Sequence, residues 1–431
     1  MSKQTNIPTL RFPEFNGEWE KKKLGEVAEF SKGKGISKAD IIDDGKTQCI
    51  RYGELYTVYG ETINEVKSRT NIEYKHLVFS EANDVIIPAS GETQIDIATA
   101  SCVLRSGVAL GGDLNIIKTS NNGVFLSYCL NSSKKQEIAN LAQGISVVHL
   151  YSSQLSTLSI SFPTLPEQTK IAEFFTAIDA KIQALKTKKE KLQQYKKGVM
   201  QQLFTPSELG LEGLEDDRIK SEKENNPAII KSNKSKFRQD NGEEFPEWEV
   251  KKLGEVLIKN STKNKNQKYT LVQSVSNKYG FINQDEMFED RRVASKDTSN
   301  YYVIEKGHFA YNPSRIDVGS LAYKFDDEIS TISPLYISFR ANQICLTDEF
   351  LLNWFSIEEF QMQMNNSFEG SVRNTLSYES LVRMKISIPS LPEQTKIATF
   401  LSSLDEKINH TETQIQQTQV WKKGLLQKMF V

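Results

Sequence analysis

Cysteine and histidine are both scarce, with four of each in 431 residues. Cys49, Cys102, Cys129 and Cys345 form no Cys-x-x-Cys pair and have no histidine at ligand spacing. That excludes a structural zinc site and a disulfide framework, and the four read as small hydrophobes. His76, His149, His308 and His410 show no metal or triad arrangement. No apolar run reaches the roughly 18 residues of a membrane-spanning helix. The opening Met1-Ser2-Lys3-Gln4-Thr5-Asn6 lacks the apolar core of a signal peptide, so the expected location is the cytoplasm. Charge of one sign is missing too: 54 Lys and Arg against 55 Asp and Glu leave a net charge of −1. Any nucleic-acid-facing surface must therefore be a local patch.

Catalytic motifs are equally absent. Gripping a flipped adenine's amino group takes an Asn/Asp-Pro-Pro-aromatic loop. Asn312-Pro313-Ser314-Arg315 comes nearest but lacks the second proline and the aromatic. Gly33-Lys34-Gly35 has neither the glycine spacing nor the Lys-Ser/Thr pair of a Walker A loop, and no Gly-rich cofactor fingerprint follows a strand. Glu-x-Lys triplets such as Glu65-Val66-Lys67 are expected by chance when 25% of residues are charged. The sequence predicts no catalytic residues, no metal and no cofactor in this chain.

What is present is a repeat. Leu165-Pro166-Glu167-Gln168-Thr169-Lys170-Ile171-Ala172 recurs identically from Leu391 to Ala398, a shift of 226 residues (165 to 391). Lys196-Lys197-Gly198 returns as Lys422-Lys423-Gly424 and Phe204 as Phe430 at the same shift. Trp19 through Val27 resembles Trp248 through Val256, while residues 28–143 and 257–369 share little. The chain is a tandem duplication that kept its frame and diverged in its contents.

Each octapeptide opens a long helix. Pro166 and Pro392 suit a first helical turn, and the Glu and Gln that follow favour the positive end of the helix dipole. In the first copy Ile171, Phe175, Ile178, Ile182, Leu185 and Leu192 follow in steps of four and three, with Lys189 and Lys196 as breaks. In the second, Ile397, Leu401, Leu404, Ile408 and Ile415 do the same, broken by Thr411, Thr418 and Lys422. This is the 3.5-residue period of a coiled-coil seam. At about 39 residues each helix would be roughly 58 Å long. The economical arrangement is that the two pack on each other; the alternative is that each docks separately on its own domain.

The divergent regions read as small α+β domains. Alternation in Leu158, Ile160 and Phe162, and again in Met384, Ile386 and Ile388, marks a strand before each helix. Asp84–Pro88 and 332–339 read as strands, Phe125–Leu141 and Phe350–Met364 as shorter amphipathic helices. The predicted organisation is a domain at 1–163, a helix at 164–205, a polar linker at 206–236, a second domain at 237–389 and a second helix at 390–431. The fold class is α+β, a pseudo-two-fold tandem repeat in which two α/β domains are separated by two long antiparallel coiled-coil helices.

The Leu-Pro-Glu-Gln-Thr-Lys-Ile-Ala openings, the Lys-Lys-Gly helix ends and the paired Trp-x-x-x-x-Leu-Gly-Glu-Val starts resemble the specificity subunits of type I restriction–modification systems over essentially the whole chain. The resemblance implies two target-recognition domains, each reading half of an asymmetric bipartite site in double-stranded DNA, and helices that set the unread gap. It also implies docking of two methyltransferase subunits and assembly with two restriction–translocation subunits. S-adenosylmethionine would then belong to the former, ATP and Mg to the latter, and none to this chain. A coiled-coil adaptor for protein or RNA partners, with no DNA sequence preference, is the alternative from a different class.

For base contacts, a Gly/Ser-containing segment lies 22 residues before each helix-opening proline (144 to 166, 370 to 392). Its candidates are Ser146 and His149 in one half and Arg373 and Asn374 in the other. Polar–aromatic stretches supply Arg51, Tyr52 and Glu54, and Ser274, Ser276, Lys278 and Tyr279. Ser90, Thr93, Gln94, Asn312, Ser314 and Arg315 complete the set, as donors and acceptors suited to base edges or phosphates. Lys186, Lys188, Lys189, Lys191, Lys196 and Lys197 form a basic stretch on the first helix. It reads as a solvated face, with phosphate contact as the alternative.

Overall fold

A computed structural model describes residues 6–144, 147–204, 237–284, 297–369 and 374–431; the expected linker at 206–236 lies outside them. The chain is a mixed α/β protein with two compact units. One is Met1–Lys188 together with Thr411–Val431; the other is Lys189–His410.

Both units are built on the same frame. Glu20–Lys23 pairs antiparallel with Ser159–Phe162, and Glu249–Lys252 pairs likewise with Lys385–Ile388. The predicted alternation buries Leu158, Ile160 and Phe162, and Met384, Ile386 and Ile388. One helical turn follows each first strand, Leu24–Val27 and Leu253–Val256. In these turns the Glu26 and Glu255 carboxylates accept from the backbone N–H of Lys23 and Lys252, at 3.0 Å in each case. Gly25 and Gly254 donate to the carbonyls of Ser156 and Val382, both at 3.0 Å. A Cβ on Gly25 would lie 2.9 Å from the Ser156 Cβ, and one on Gly254 3.1 Å from the Val382 Cβ. The repeated Leu-Gly-Glu-Val thus uses glycine for close backbone approach.

Between frame strands the units differ. The first holds a five-stranded sheet ordered Ala28–Lys32, Leu114–Thr119, Asp84–Pro88, Ser101–Val103, Thr62–Ile63, and a three-stranded sheet centred on Thr47–Ile50. The second holds a four-stranded antiparallel sheet ordered Leu257–Lys259, Ile337–Ala341, Phe309–Tyr311, Leu321–Tyr323. Three expected elements are each two. The strand expected over 332–339 is Ser330–Ile332 and Ile337–Ala341, which pair in different sheets. The helix expected over Phe125–Leu141 is Gly123–Asn131 and Lys135–Leu141. The break falls at Ser132, whose backbone (φ −110°, ψ −89°) leaves the helical region. The helix expected over Phe350–Met364 is Asp348–Trp354 and Glu358–Asn366, parted where Ile357 is extended.

The long helices are Leu165–Phe204 and Leu391–Met429. In the first unit the start of one meets the end of the other. The Phe175 and Phe430 rings lie 5.9 Å apart, and Asp179 pairs with Lys422 at 2.7 Å, so residue numbers fall along one helix as they rise along the other. The second unit repeats the pair, with Lys196 2.6 Å from Asp405. Lys196 and Lys422, two of the residues that break the predicted seams, are therefore ion-paired across the helices. Ile171, Phe175, Ile178, Ile182 and Ile415 are buried in the first unit, and Ile397, Leu401 and Leu404 in the second. Leu185, Leu192 and Ile408 are half-buried. Each helix ends in an aromatic cluster: Phe430 packs on Phe125 and Trp19, and Phe204 on Phe350 and Trp248. At about 1.5–3 kcal/mol per buried large side chain, these ends hold the helices more firmly than the half-buried middle.

The octapeptide fastens each helix to its domain. Gln168 is buried; its Oε1 accepts from Asn122 N–H at 3.0 Å and its Nε2 donates to the Pro163 carbonyl at 2.9 Å. Gln394 repeats this, accepting from Thr347 N–H at 2.8 Å and donating to the Pro389 carbonyl at 2.9 Å. Asn122 and Thr347 are the N-caps of the helices beside the sheets, so one amide locks two helix starts together. Glu167 accepts from the Arg11 guanidinium through two bonds of 2.7 Å. Lys170 lies over the Phe12 ring, and Lys396 pairs with Asp240 at 2.6 Å.

Candidate nucleic-acid interface

In the first unit the frame brings separate candidate segments together. Ser90–Gly91 pairs antiparallel with Val148–His149, placing Ser90 opposite His149. Thr93 caps the turn Gln94–Ile97 by accepting from Asp96 N–H at 3.1 Å. Gln94 is exposed, as is His149, whose ring lies 6.3 Å from that of Tyr151 and nearly parallel to it. Lys32 lies 5.9 Å above the Tyr151 ring. The Arg51–Glu54 segment borders this face through Tyr56. Burial raises the pKa of the Tyr56 hydroxyl, and Tyr52, Glu92 and Asp96 raise it further. Tyr52 is half-buried on the core behind.

The second unit makes an equivalent face from its own loops. Gln273–Ser276 and Gly280–Asn283 form a hairpin whose turn is held by the Ser276 hydroxyl, which accepts from Lys278 and Tyr279 N–H. Lys278 and Tyr279 are exposed, with the ammonium 4.8 Å from the ring centre. Asn277 ties this turn to the next loop through a 2.6 Å bond to the Val318 carbonyl. In that loop the Asn312 side chain accepts from Ser314 N–H at 3.1 Å, and the Ser314 hydroxyl lies 3.4 Å from that of Thr375. Arg315 and Asn374 are exposed.

The segments before the helix-opening prolines have the same closure in both units. Gln143 and His149 exchange both backbone hydrogen bonds, at 2.7 and 2.9 Å; Glu369 and Thr375 do so at 2.9 and 3.1 Å. Ser146 and Arg373 lie outside the described residues.

Other candidates are withdrawn from the surface. Glu54, Ser90 and Ser274 are buried. Glu54 accepts from Arg51 N–H at 2.7 Å and from the Ser68 hydroxyl, and Ser274 accepts from Gln284 at 3.0 Å. Their side chains hold loops in place, because buried polar groups must be paired. On the first long helix Lys186, Lys188 and Lys191 are exposed, while Lys196 faces Asp405 and Lys197 lies 3.6 Å from Glu358. Sequence reasoning missed Lys32, Tyr56 and Tyr151. Tyr151 stood two residues from a chosen histidine, but nothing in the sequence links Lys32 to either.

Among the described residues no group of three or more His, Cys, Asp and Glu could hold a metal ion, and no helix is long and apolar enough to cross a membrane. All four cysteines are free. Burial pushes the thiols of Cys49 and Cys129 up to about 11 and that of Cys102 up to about 12, far from a thiolate nucleophile at neutral pH.

A family model for the type I restriction modification DNA specificity domain matches twice, over residues 16–194 and 246–418. The chain belongs to the type I restriction–modification DNA specificity family. The two matches fall on the two copies of the frame. The chain is similar to the type I restriction enzyme MjaVIII specificity subunit of Methanocaldococcus jannaschii, at 24% identity over 97% of this chain and 92% of that one. It is also similar to the putative MjaX specificity subunit of the same organism, at 19% identity over 98% and 95%. Among solved structures, the type I S subunit from M. genitalium shares the fold at a TM-score of 0.56, with 17% identity and 99% of both chains covered. A chain from a study of type I system assembly and conformational transition shares it at 0.53, with 15% identity over 96% and 97%. As a member of this specificity family, the chain presents on each copy of the frame a polar–aromatic face built from unrelated loops.

Proposed function

We propose that this chain is the non-catalytic DNA-reading subunit of a type I restriction–modification complex. Its recognition domains, 1–163 and 237–389, each read one half of an asymmetric bipartite duplex site. The observation that carries this reading is one frame built twice around different loops. A shared frame suits identical partners, and unlike loops suit unlike half-sites. His149, Tyr151, Thr93 and Gln94 face one half-site; Lys278, Tyr279, Asn312, Ser314, Arg315 and Asn374 face the other, through base edges and backbone.

The long helices, of 40 and 39 residues, set the unread gap. At 1.5 Å per residue such a helix is about 60 Å long, ample for one turn of duplex at roughly 34–36 Å. Two methyltransferase subunits dock on the helical frame and two restriction–translocation subunits complete the assembly. S-adenosylmethionine works on the former and ATP with Mg on the latter. Methylated-base sequencing of cells expressing this chain with its methyltransferase partner tests the reading. An adenine-methylated motif with two defined halves around an unread gap is expected. A soluble complex with the partner but no motif would overturn it in favour of an adaptor.

A further inference from the structure

Arg51 presents an anomaly in hydrogen bonding. Its Nε is buried and has no hydrogen-bond partner among the described residues. Its ion contact, Nη2 to the Glu54 Oε1, is 3.6 Å, too long for a hydrogen bond. The side chain is 24% exposed, so it stands at the surface with its fork largely unused. Glu54 beneath it does not move freely: it is buried and held by the Arg51 N–H and by Ser68 from the neighbouring strand Ser68–Thr70. A planar fork of donors, positioned by a fixed carboxylate and short of acceptors, is a group waiting for a ligand with two adjacent acceptors.

Two parts of DNA offer that chemistry: a phosphate, and the O6/N7 edge of guanine in the major groove. The surroundings favour the base. Arg51 and Glu54 together carry no net charge, and Glu92 and Asp96 lie close enough to bear on Tyr56 of the same segment. A phosphate at Arg51 would meet the Glu54 carboxylate, whereas a guanine edge has acceptors without net charge. Resting on the specificity-subunit reading above, we infer that Arg51, held by Glu54, reads one guanine in the half-site contacted by the first unit. Arg51 is then a specificity-determining residue and Glu54 its positioning residue.

The test uses the full chain with its methyltransferase partner and reads the methylated motif for Arg51→Lys, Arg51→Ala and Glu54→Gln. Lysine keeps the charge and loses the fork. Both Arg51 variants should lose preference at a single guanine position, by about 5- to 150-fold, with the other half-site and the gap unchanged. Glu54→Gln should weaken that position alone. The intact half-site shows in the same experiment that the variants fold and assemble. An unchanged motif overturns the assignment. So does an equal loss at every site in Arg51→Ala that Arg51→Lys restores, which marks a phosphate contact, or an equal loss in all three variants. No bipartite motif from the unsubstituted chain would instead overturn the specificity-subunit reading itself.

Discussion

Replacing Gln394 by alanine asks why the octapeptide is identical in both copies. The Gln394 side chain is wholly buried and makes three hydrogen bonds to backbone: Nε2 to the Cys345 and Pro389 carbonyls at 2.8 and 2.9 Å, and Oε1 from Thr347 N–H at 2.8 Å. Alanine leaves all three without their partner. An orphaned buried N–H costs about 1–3 kcal/mol and carbonyls somewhat less, so the loss should be about 3–5 kcal/mol. For a unit of about 200 residues, at roughly 2–4 °C per kcal/mol, the melting temperature should fall by about 6–20 °C. Gln168→Ala should act alike on the other unit, having its own three bonds to Asn122, Asn121 and Pro163. Thr395→Ala, at an exposed octapeptide position, should stay within about 0.5 kcal/mol. Calorimetry measures the shifts, and hydrogen exchange should show faster opening at the start of Asp348–Trp354 in Gln394→Ala. If Gln394→Ala and Thr395→Ala melted within about 2 °C of each other, internal fastening would not be the reason for the identity at this position.

Two further outcomes are expected. Lys422→Ala should destabilise by about 2–3 kcal/mol, because this lysine is 14% exposed and bonds both Asp179 and Glu61. Lys196→Ala should cost about 1 kcal/mol or less, since its partner Asp405 is 48% exposed; equal costs in thermal unfolding would refute the difference. The Glu369 carboxyl is held below the usual glutamate range by hydrogen bonds from the Ser380 and Ser377 hydroxyls. A carboxyl with a depressed folded pKa favours the closed form above its unfolded value, a contribution lost as pH falls through the folded one. Hydrogen exchange at Glu369 and Thr375 N–H should therefore quicken relative to the Gln143–His149 closure as pH drops below the usual glutamate range. Parallel behaviour of the two closures would count against it.

Identity and period were legible in the sequence because both are local or self-referential. The recurrence of Leu165–Ala172 at Leu391–Ala398 needs only comparison of the chain with itself, and it announced the duplication. The 3.5-residue spacing from Ile171 to Leu192 follows from helical geometry, and the alternation at Leu158, Ile160 and Phe162 from strand geometry, whatever surrounds them. Short-range breaks were less visible: the helix ends with Ser132 as its C-cap, where apolar periodicity alone continues to Leu141.

Tertiary structure decided everything that depends on distant partners. Lys196 and Lys422 read as defects in the seam, but Asp405 and Asp179 lie opposite them on the other helix. Glu167 and Gln168 read as helix-dipole residues, but their partners Arg11, Asn122 and Pro163 make them buried fastenings. Glu54 shared a polar–aromatic stretch with Arg51, and only burial separates the residue that holds from the one that partly reaches the surface. Sequence determines which side chains are available and with what period; which of them are left unpaired at a surface, and so free to read something else, is set by the packing of residues far apart in the chain.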